Sequence, residues 1–434
     1  YINWLMAATV MIAAFATAAC EDEPDKYEVA GGLPVVKYVR TPLAAKADSL
    51  LTGAYMSNTV VLVGENLRSI YEIYFNDQKA ILNTSYMTDN TVFVDVPKEI
   101  PATVTNKIYM VTAAKDTVDY DFKVLVPAPT VNSMSCEFAK PGSEVTLYGD
   151  CLLYTSPSPR DRTRSITMTG NVEVAEITNI TKTAVSFILP ENAPEGYINV
   201  KSIYGVGRSK FRYYDTRNVL FDWDGSHGGH AMGLGWRDGS KIWVDENEQS
   251  LDGAYICFGL DGSTISGGIG ATWAEDPFSF NYWPDGGEHP ALSSRPAFAS
   301  MIEEYGLGKL QIKFEVCVPA ANPWSSAAMQ IMFTGDQHVT NSTGNNSYFN
   351  DTKLPRGLWI PWANNGSYDT GGKWTTVSLN LSDFNKTYEG TPCDVSLDKT
   401  MLTGLTFFVW HGGLAGTECT PLIMVDNIRV VPIE

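Results

Sequence analysis

The chain has 434 residues, 44% of them hydrophobic, and a formal net charge of −18. At roughly 100 to 200 residues per domain, this length predicts two to four domains, each with enough apolar content for its own core. From Asn218 onward there are 25 acidic and 11 basic residues, so nucleic acids, anionic polysaccharides and acidic lipids are excluded as ligands because this half repels them.

Leu5 to Ala19 is an uncharged run, rich in Ala and Met, that is too short to span a membrane comfortably. It ends in Thr17-Ala18-Ala19-Cys20 and resembles a bacterial lipoprotein signal with Cys20 as the acylated residue. The run lacks an initiator Met and a basic leader, and Thr17 stands where Leu is usual, so the chain is expected to be truncated at its N-terminus. Residues 1–20 are assigned to this signal. Residues 21–31 open with Glu21-Asp22-Glu23-Pro24-Asp25, an acidic tether that cannot pack. Such a run after the cysteine resembles a surface-export signal of Bacteroidetes lipoproteins; a plain linker with periplasmic residence is the alternative.

One unit is written twice between the tether and residue 214. The first copy, 32–126, runs Val60-Val61-Leu62-Val63-Gly64, Ile73-Tyr74-Phe75, Thr91 to Pro97 and Lys107 to Val111. The second, 127–214, runs Val145 to Asp150, Ile166 to Met168, Ala184 to Pro190 and Gly196 to Val200. Short alternating runs broken by Gly, Pro and Asn predict antiparallel β-sandwiches. Their motif order resembles the immunoglobulin-like IPT/TIG domain, which implies a spacing and orienting role. Pro127-Ala128-Pro129 is expected to stiffen the junction. Residues 151–165 interrupt the second copy with Arg160, Arg162 and Arg164, and this stretch is either an exposed basic loop or translated sequencing-adapter read-through.

Cys20 apart, six cysteines remain, without C-x-x-C or metal-ligand spacing. Cys257, Cys317, Cys393 and Cys419 are expected to be buried small hydrophobes.

From Asn218 the texture changes: ten of the eleven tryptophans lie between Trp223 and Trp410, among many Gly, Asn and Asp residues. Strands are expected at 254–259, 309–318, 328–333, 374–381, 405–410 and 422–431, which suits one large jelly-roll-like sandwich over 215–434. The opening Val219 to Asp224, Arg356-Gly357-Leu358-Trp359-Ile360-Pro361-Trp362, Gly372 to Leu379 and the closing Val425 to Pro432 resemble the C-terminal domain of surface glycan-binding proteins of the SusE/SusF-positioned kind, notably β-glucan and xyloglucan binders. The resemblance implies a non-catalytic, lipid-anchored, outer-membrane protein that captures a neutral polysaccharide for a SusC/SusD-like complex.

Flat aromatic rings suit the apolar faces of sugars. Trp324, after Pro323, and Trp359 and Trp362, flanking Pro361, are expected to be displayed rigidly. The resemblance pairs Trp324 with Trp359 as the platform; Tyr282 and Trp283, in Phe280-Asn281-Tyr282-Trp283-Pro284, are second-rank candidates. Gln330, Arg356, Asn364 and Asn365 are the expected hydrogen-bond partners of ring hydroxyls. Trp223, Trp243, Trp374 and Trp410 fall inside strand patterns and read as core. Each stack contributes roughly 1 to 2 kcal/mol; against the cost of association this predicts micromolar to millimolar binding, raised by avidity on a long polymer.

A hydrolase would need two carboxylates at a defined separation, and the chain has no E-x-D-x-x-E run of the jelly-roll glucanase kind. An adhesin would present an apolar patch without interleaved polar residues. His227-Gly228-Gly229-His230 is weak as a metal site. No cofactor is expected, although Asp222, Asp224, Asp426 and Asn427 could hold a structural Ca²⁺.

Overall fold

The computed structural model describes residues 31–46, 48–152, 166–202, 205–231, 241–270, 276–282, 284, 289–334 and 354–434. Cys20 and the tether to residue 30, residues 153–165 of the arginine-bearing stretch, and Trp283 lie outside the described residues. Contacts divide the chain into two compact units, 1–127 and 128–434. The second unit therefore holds both the second sandwich and everything C-terminal to it.

In the first unit, the strands Val35–Arg40, Thr59–Glu65 and Thr91–Asp95 form one sheet. Gln78–Ala80, Ile70–Phe75, Lys107–Thr112 and Thr117–Asp121 form the other. Their inward residues, among them Val60, Leu62, Ile73, Phe75, Ile108 and Met110, fill one core. The second sandwich repeats the plan with Thr130–Met134, Glu144–Asp150, Ala184–Ile188 and Ile177–Ile180 against a four-stranded partner sheet.

The repeat extends to one backbone detail. In both copies the first strand bulges, between Val36 and Tyr38 and between Val131 and Ser133. Each bulge presses a carbonyl onto the glycine of the shared motif: a Cβ on Gly64 would lie 1.8 Å from the Val35 oxygen, and one on Gly149 would lie 1.8 Å from the Thr130 oxygen. Only glycine allows that approach.

The C-terminal sandwich packs a seven-stranded sheet on a four-stranded one. The long closing strand Ile423–Pro432 organises the larger sheet, pairing with Val219–Trp223, Tyr255–Phe258 and Leu310–Cys317. The smaller sheet has the order Ser279–Tyr282, Gly404–Trp410, Ala328–Thr334, Gly357–Trp359. All six expected strands are present, and the fold is all-β but for the helix Pro296–Tyr305 and short 3-10 turns among the described residues.

Strand Leu310–Cys317 is buried at every residue although its sequence alternates apolar and polar. Leu310, Ile312, Phe314 and Val316 enter the sandwich core. Two of the polar positions face the second sandwich, where Lys313 Nζ donates to Glu137 Oε1 at 2.6 Å. The Arg429 guanidinium donates to Glu315 Oε2 at 2.7 Å and to Glu137 Oε2 at 2.9 Å, and lies 4.6 Å above the Phe138 ring. Thr376 Oγ1 donates to Glu315 Oε1 and accepts from the Glu137 amide. Two carboxylates and two cations thus form a fully buried, mutually neutralised seam. The second sandwich and the C-terminal sandwich are joined through it.

Cys257 and Cys317 are buried as expected, whereas Cys393 and Cys419 are half-exposed.

Candidate functional site

The smaller sheet decides which tryptophans face a ligand. Met329, Ile331 and Phe333 of the strand Ala328–Thr334 enter the core, and pairing sets Trp359 opposite Met329 and Leu358 opposite Gln330. Because side chains alternate along a strand, this register turns Trp359 inward and Leu358 outward.

Trp324 and Trp359 do meet, with ring centres 5.4 Å apart, but in the interior: Trp359 also packs edge-on against Phe314 and Tyr368. Trp324 is 0% exposed and its indole donates to the Ser326 oxygen at 2.6 Å. Trp362 is 4% exposed and its indole donates to the Ala327 oxygen at 2.7 Å. The expectation that proline displays these rings on the surface is corrected, because both spend their N–H on the backbone and their faces on the core. Trp359 is half-buried against the same core.

Tyr282 is likewise interior, donating to the Pro290 oxygen and packing on Phe221. Gln330 and Arg356 are fully buried and bond to each other, Arg356 Nη1 donating to Gln330 Oε1 at 2.7 Å. Gln330 Nε2 donates to the Trp410 oxygen at 2.7 Å. This pair ties strands together and fixes the Trp410 backbone; it is not displayed to a sugar as expected. Asn364 is exposed on the turn after Trp362.

The outer face of the same sheet carries what the sequence reading assigned to the core. Trp410 pairs with Ala328, and Phe408 with Gln330, so Trp410 and Phe408 point away from Phe407 and Val409. With Met332 they form a small cluster of their own. Tyr388 lies parallel to Trp410, ring centres 5.3 Å apart and planes 13° apart, and His411 packs against both. All three rings are half-exposed.

Glycines allow this assembly. A Cβ on Gly412 would meet Ala328 Cβ at 2.4 Å, and one on Gly413 would meet the Glu389 oxygen at 1.9 Å; both glycines have positive φ. The 410–413 turn can therefore close onto the 388–390 loop.

A cleft of about 390 Å³, lined by Gly357, Leu358, Ile360, Lys386, Glu389 and Leu414, adjoins these rings through their chain neighbours Glu389, Gly390, Gly412 and Gly413. The Tyr388 hydroxyl donates to Glu389 Oε1 at 3.1 Å, and burial followed by that bond raises its pKa. Burial lowers the pKa of His411, which favours its neutral ring. Apolar ring area beside neutral and hydrogen-bonding groups suits a polyol with C–H faces and hydroxyl edges.

The residues considered for Ca²⁺ do other work. The Asp222 carboxylate accepts the amides of Gly225, His227 and Gly229, and Asp224 accepts that of Ser226. Asp426 is buried, and burial together with the Asp252 carboxylate holds its pKa well above the usual carboxylate range. His227 donates to Asp252 at 2.8 Å, which raises the His227 pKa. Among the described residues no group of three or more His, Cys, Asp or Glu could hold a metal.

Fold and cleft together define a modular all-β protein whose terminal sandwich presents stacked rings beside a polar-rimmed groove. Residues 213–432 match the family model for the surface glycan-binding protein B xyloglucan binding domain, and the chain belongs to this family. The chain is 36% identical to surface glycan-binding protein PbSGBP-B from Prevotella bryantii, whose crystal structure it matches with a TM-score of 0.75 over 93% of this chain and 100% of that one. An IPT/TIG domain-containing protein from Bacteroides ovatus is 28% identical over 226 residues, 47% of this chain. The match spans 43% of that relative's length.

Proposed function

We propose that the chain captures a neutral polysaccharide with a β-linked glucose backbone, of the xyloglucan class, and holds it without cleaving it. The observation that carries this reading is the position of the half-exposed Tyr388–Trp410 pair and its cleft within the stretch that matches a xyloglucan-binding domain. The strongly acidic balance of this half supports an uncharged ligand.

Two or three ring contacts contribute roughly 1 to 2 kcal/mol each. Against the cost of association this leaves single-site binding in the micromolar to millimolar range. Trp410, Tyr388 and His411 supply the stacking area, Lys386 and Glu389 the rim hydrogen bonds, and exposed Asn364 lies on a neighbouring turn. Gln330 and Arg356 act beneath them by fixing the Trp410 strand. Trp283 stays a candidate from sequence alone.

The protein works at the cell surface in this reading, tethered to the outer membrane through a lipid on Cys20, with the sandwiches as spacers. It passes the glycan to a SusC/SusD-like uptake complex. Affinity electrophoresis in gels containing xyloglucan, mixed-linkage β-glucan, mannan or starch tests ligand class, and a reducing-end assay on the same mixtures tests cleavage. Retardation by a β-glucan without new reducing ends is the expected result. New reducing ends contradict the non-catalytic reading, and no retardation contradicts glycan capture.

A further inference from the structure

A second groove lies outside the cleft, between the second sandwich and the C-terminal sandwich. It measures about 840 Å³ and is walled by Lys140 to Tyr148 on one side and by 248–251 and 368–375 on the other. Both walls belong to one compact unit and are clamped by the buried Glu137–Arg429–Glu315–Lys313 seam. The groove is therefore preformed, and its volume falls in the range of natural ligand sites, which favour domain junctions.

Trp374 is fixed in place. Trp374 packs on the cores of both sandwiches, its indole donates to the Gln249 oxygen at 2.7 Å, and Tyr255 abuts it edge-on at 5.6 Å. One ring is thus oriented from two sides while staying half-exposed. On the opposite wall Tyr148, 46% exposed, projects outward from the strand Glu144–Asp150. The turn leading into Trp374 contains Gly371 and Gly372, both with positive φ and open space where a Cβ would stand, which keeps that end of the groove clear.

The charged lining selects the ligand class. Lys140 and Lys373 are interspersed with Glu144, Glu248 and Asp369, so the groove favours neither an anion nor a cation. Serine, threonine and glutamine fill much of the remainder. A peptide adding as a strand would need the free edge of Thr375–Asn380, yet the Thr376 amide there already donates to the Ser135 oxygen at 2.9 Å. Aromatic faces with neutral and mixed-sign hydrogen-bonding groups fit a neutral carbohydrate.

We propose that this interdomain groove is a second glycan site, with Trp374 and Tyr148 as its stacking faces, engaging the same class of neutral polysaccharide as the cleft at Trp410. The inference rests on the glycan-capture reading. Two weak sites on one rigid unit raise the avidity for a long chain far more than for a short oligosaccharide.

The test is hydrogen–deuterium exchange on the whole chain with saturating xyloglucan oligosaccharide, for the wild type, Tyr148→Ala and Trp410→Ala, with melting temperatures as the check on folding. Slowed exchange at 369–375 in the wild type and in Trp410→Ala, lost in a folded Tyr148→Ala, is expected. Protection confined to 386–413 and abolished by Trp410→Ala overturns the second site and leaves glycan capture standing. Protection nowhere overturns both. Trp374→Phe, which keeps the ring and drops the bond to Gln249, should retain the protection if stacking is what it supplies; loss in that folded variant with Tyr148→Ala unaffected also overturns the proposal.

Discussion

The two faces of the sheet Ser279–Tyr282, Gly404–Trp410, Ala328–Thr334 and Gly357–Trp359 use the same residue types for opposite ends. On the inner side Trp359 packs on Trp324, Phe314 and Tyr368, and the buried Trp324 and Trp362 indoles bond to the backbone. On the outer face Trp410 and Tyr388 stack on each other and stay half-exposed beside a cleft. A tryptophan is thus not a platform by virtue of its neighbours in sequence. The strand register decides, and a shift of one residue exchanges the faces.

The sharpest way to break this comparison is to remove an inner ring. Trp324→Ala should cost about 3 to 5 kcal/mol of stability, the range for a large buried aromatic, measured by denaturant unfolding of the whole chain. What remains folded should still bind glycan. A loss of similar size is expected for Arg429→Ala, because it strands Glu315 as a buried carboxylate without a cation and leaves Glu137 with Lys313 alone, at about 3 to 5 kcal/mol. That loss should appear in the unit 128–434, with the unfolding of the first sandwich unchanged.

A smaller effect, of a different kind, is expected from the outer face. Trp410→Ala should weaken binding roughly 5- to 30-fold, which corresponds to one lost stack of about 1 to 2 kcal/mol. Titration calorimetry reads this, and the melting temperature should fall far less than for Trp324→Ala.

The smallest expected effect depends on pH. The folded pKa of Asp426 is raised by burial and by Asp252, so its protonated form is favoured in the native state. The stability this contributes is complete below the unfolded carboxylate pKa of about 4 and is lost as pH rises toward the folded value. Asp426→Asn removes that loss. The melting temperature of the variant should exceed that of the wild type by more at pH 7.5 than at pH 4.5, and an equal gap at both would contradict the assignment.

Much of the fold was legible because strands announce themselves by alternation. The runs at 310–317, 328–334, 404–410 and 423–432 lie within a residue or so of where the patterning puts them. The motif glycines Gly64 and Gly149 even mark the same bulge in both spacers. The site was less legible. Proline beside Trp324 and Trp362 suggests display, yet proline restricts backbone and says nothing about which face the next side chain takes. For Trp359 the face follows from its pairing with Met329, a contact across 30 residues of chain.

One local signal did exist. Leu405, Phe407 and Val409 already supply the core face of their strand, so Phe408 and Trp410, the intervening large aromatics, had to serve an outer surface. In the same way the alternation of Lys313 and Glu315 with apolar residues on a strand buried on both faces marked a charged seam against a neighbouring domain. Reading it required knowing that Glu137, far away in sequence, lies opposite.

The most direct measurement is calorimetric titration of xyloglucan oligosaccharide into the wild type, Trp410→Ala and Trp324→Phe, with the melting temperature of each recorded. The account predicts that Trp410→Ala binds at least several-fold more weakly while remaining folded, and that Trp324→Phe binds as the wild type does despite a lower melting temperature. Unchanged affinity in Trp410→Ala, with binding lost in a folded Trp324→Phe, would contradict it and return the platform to the inner tryptophans.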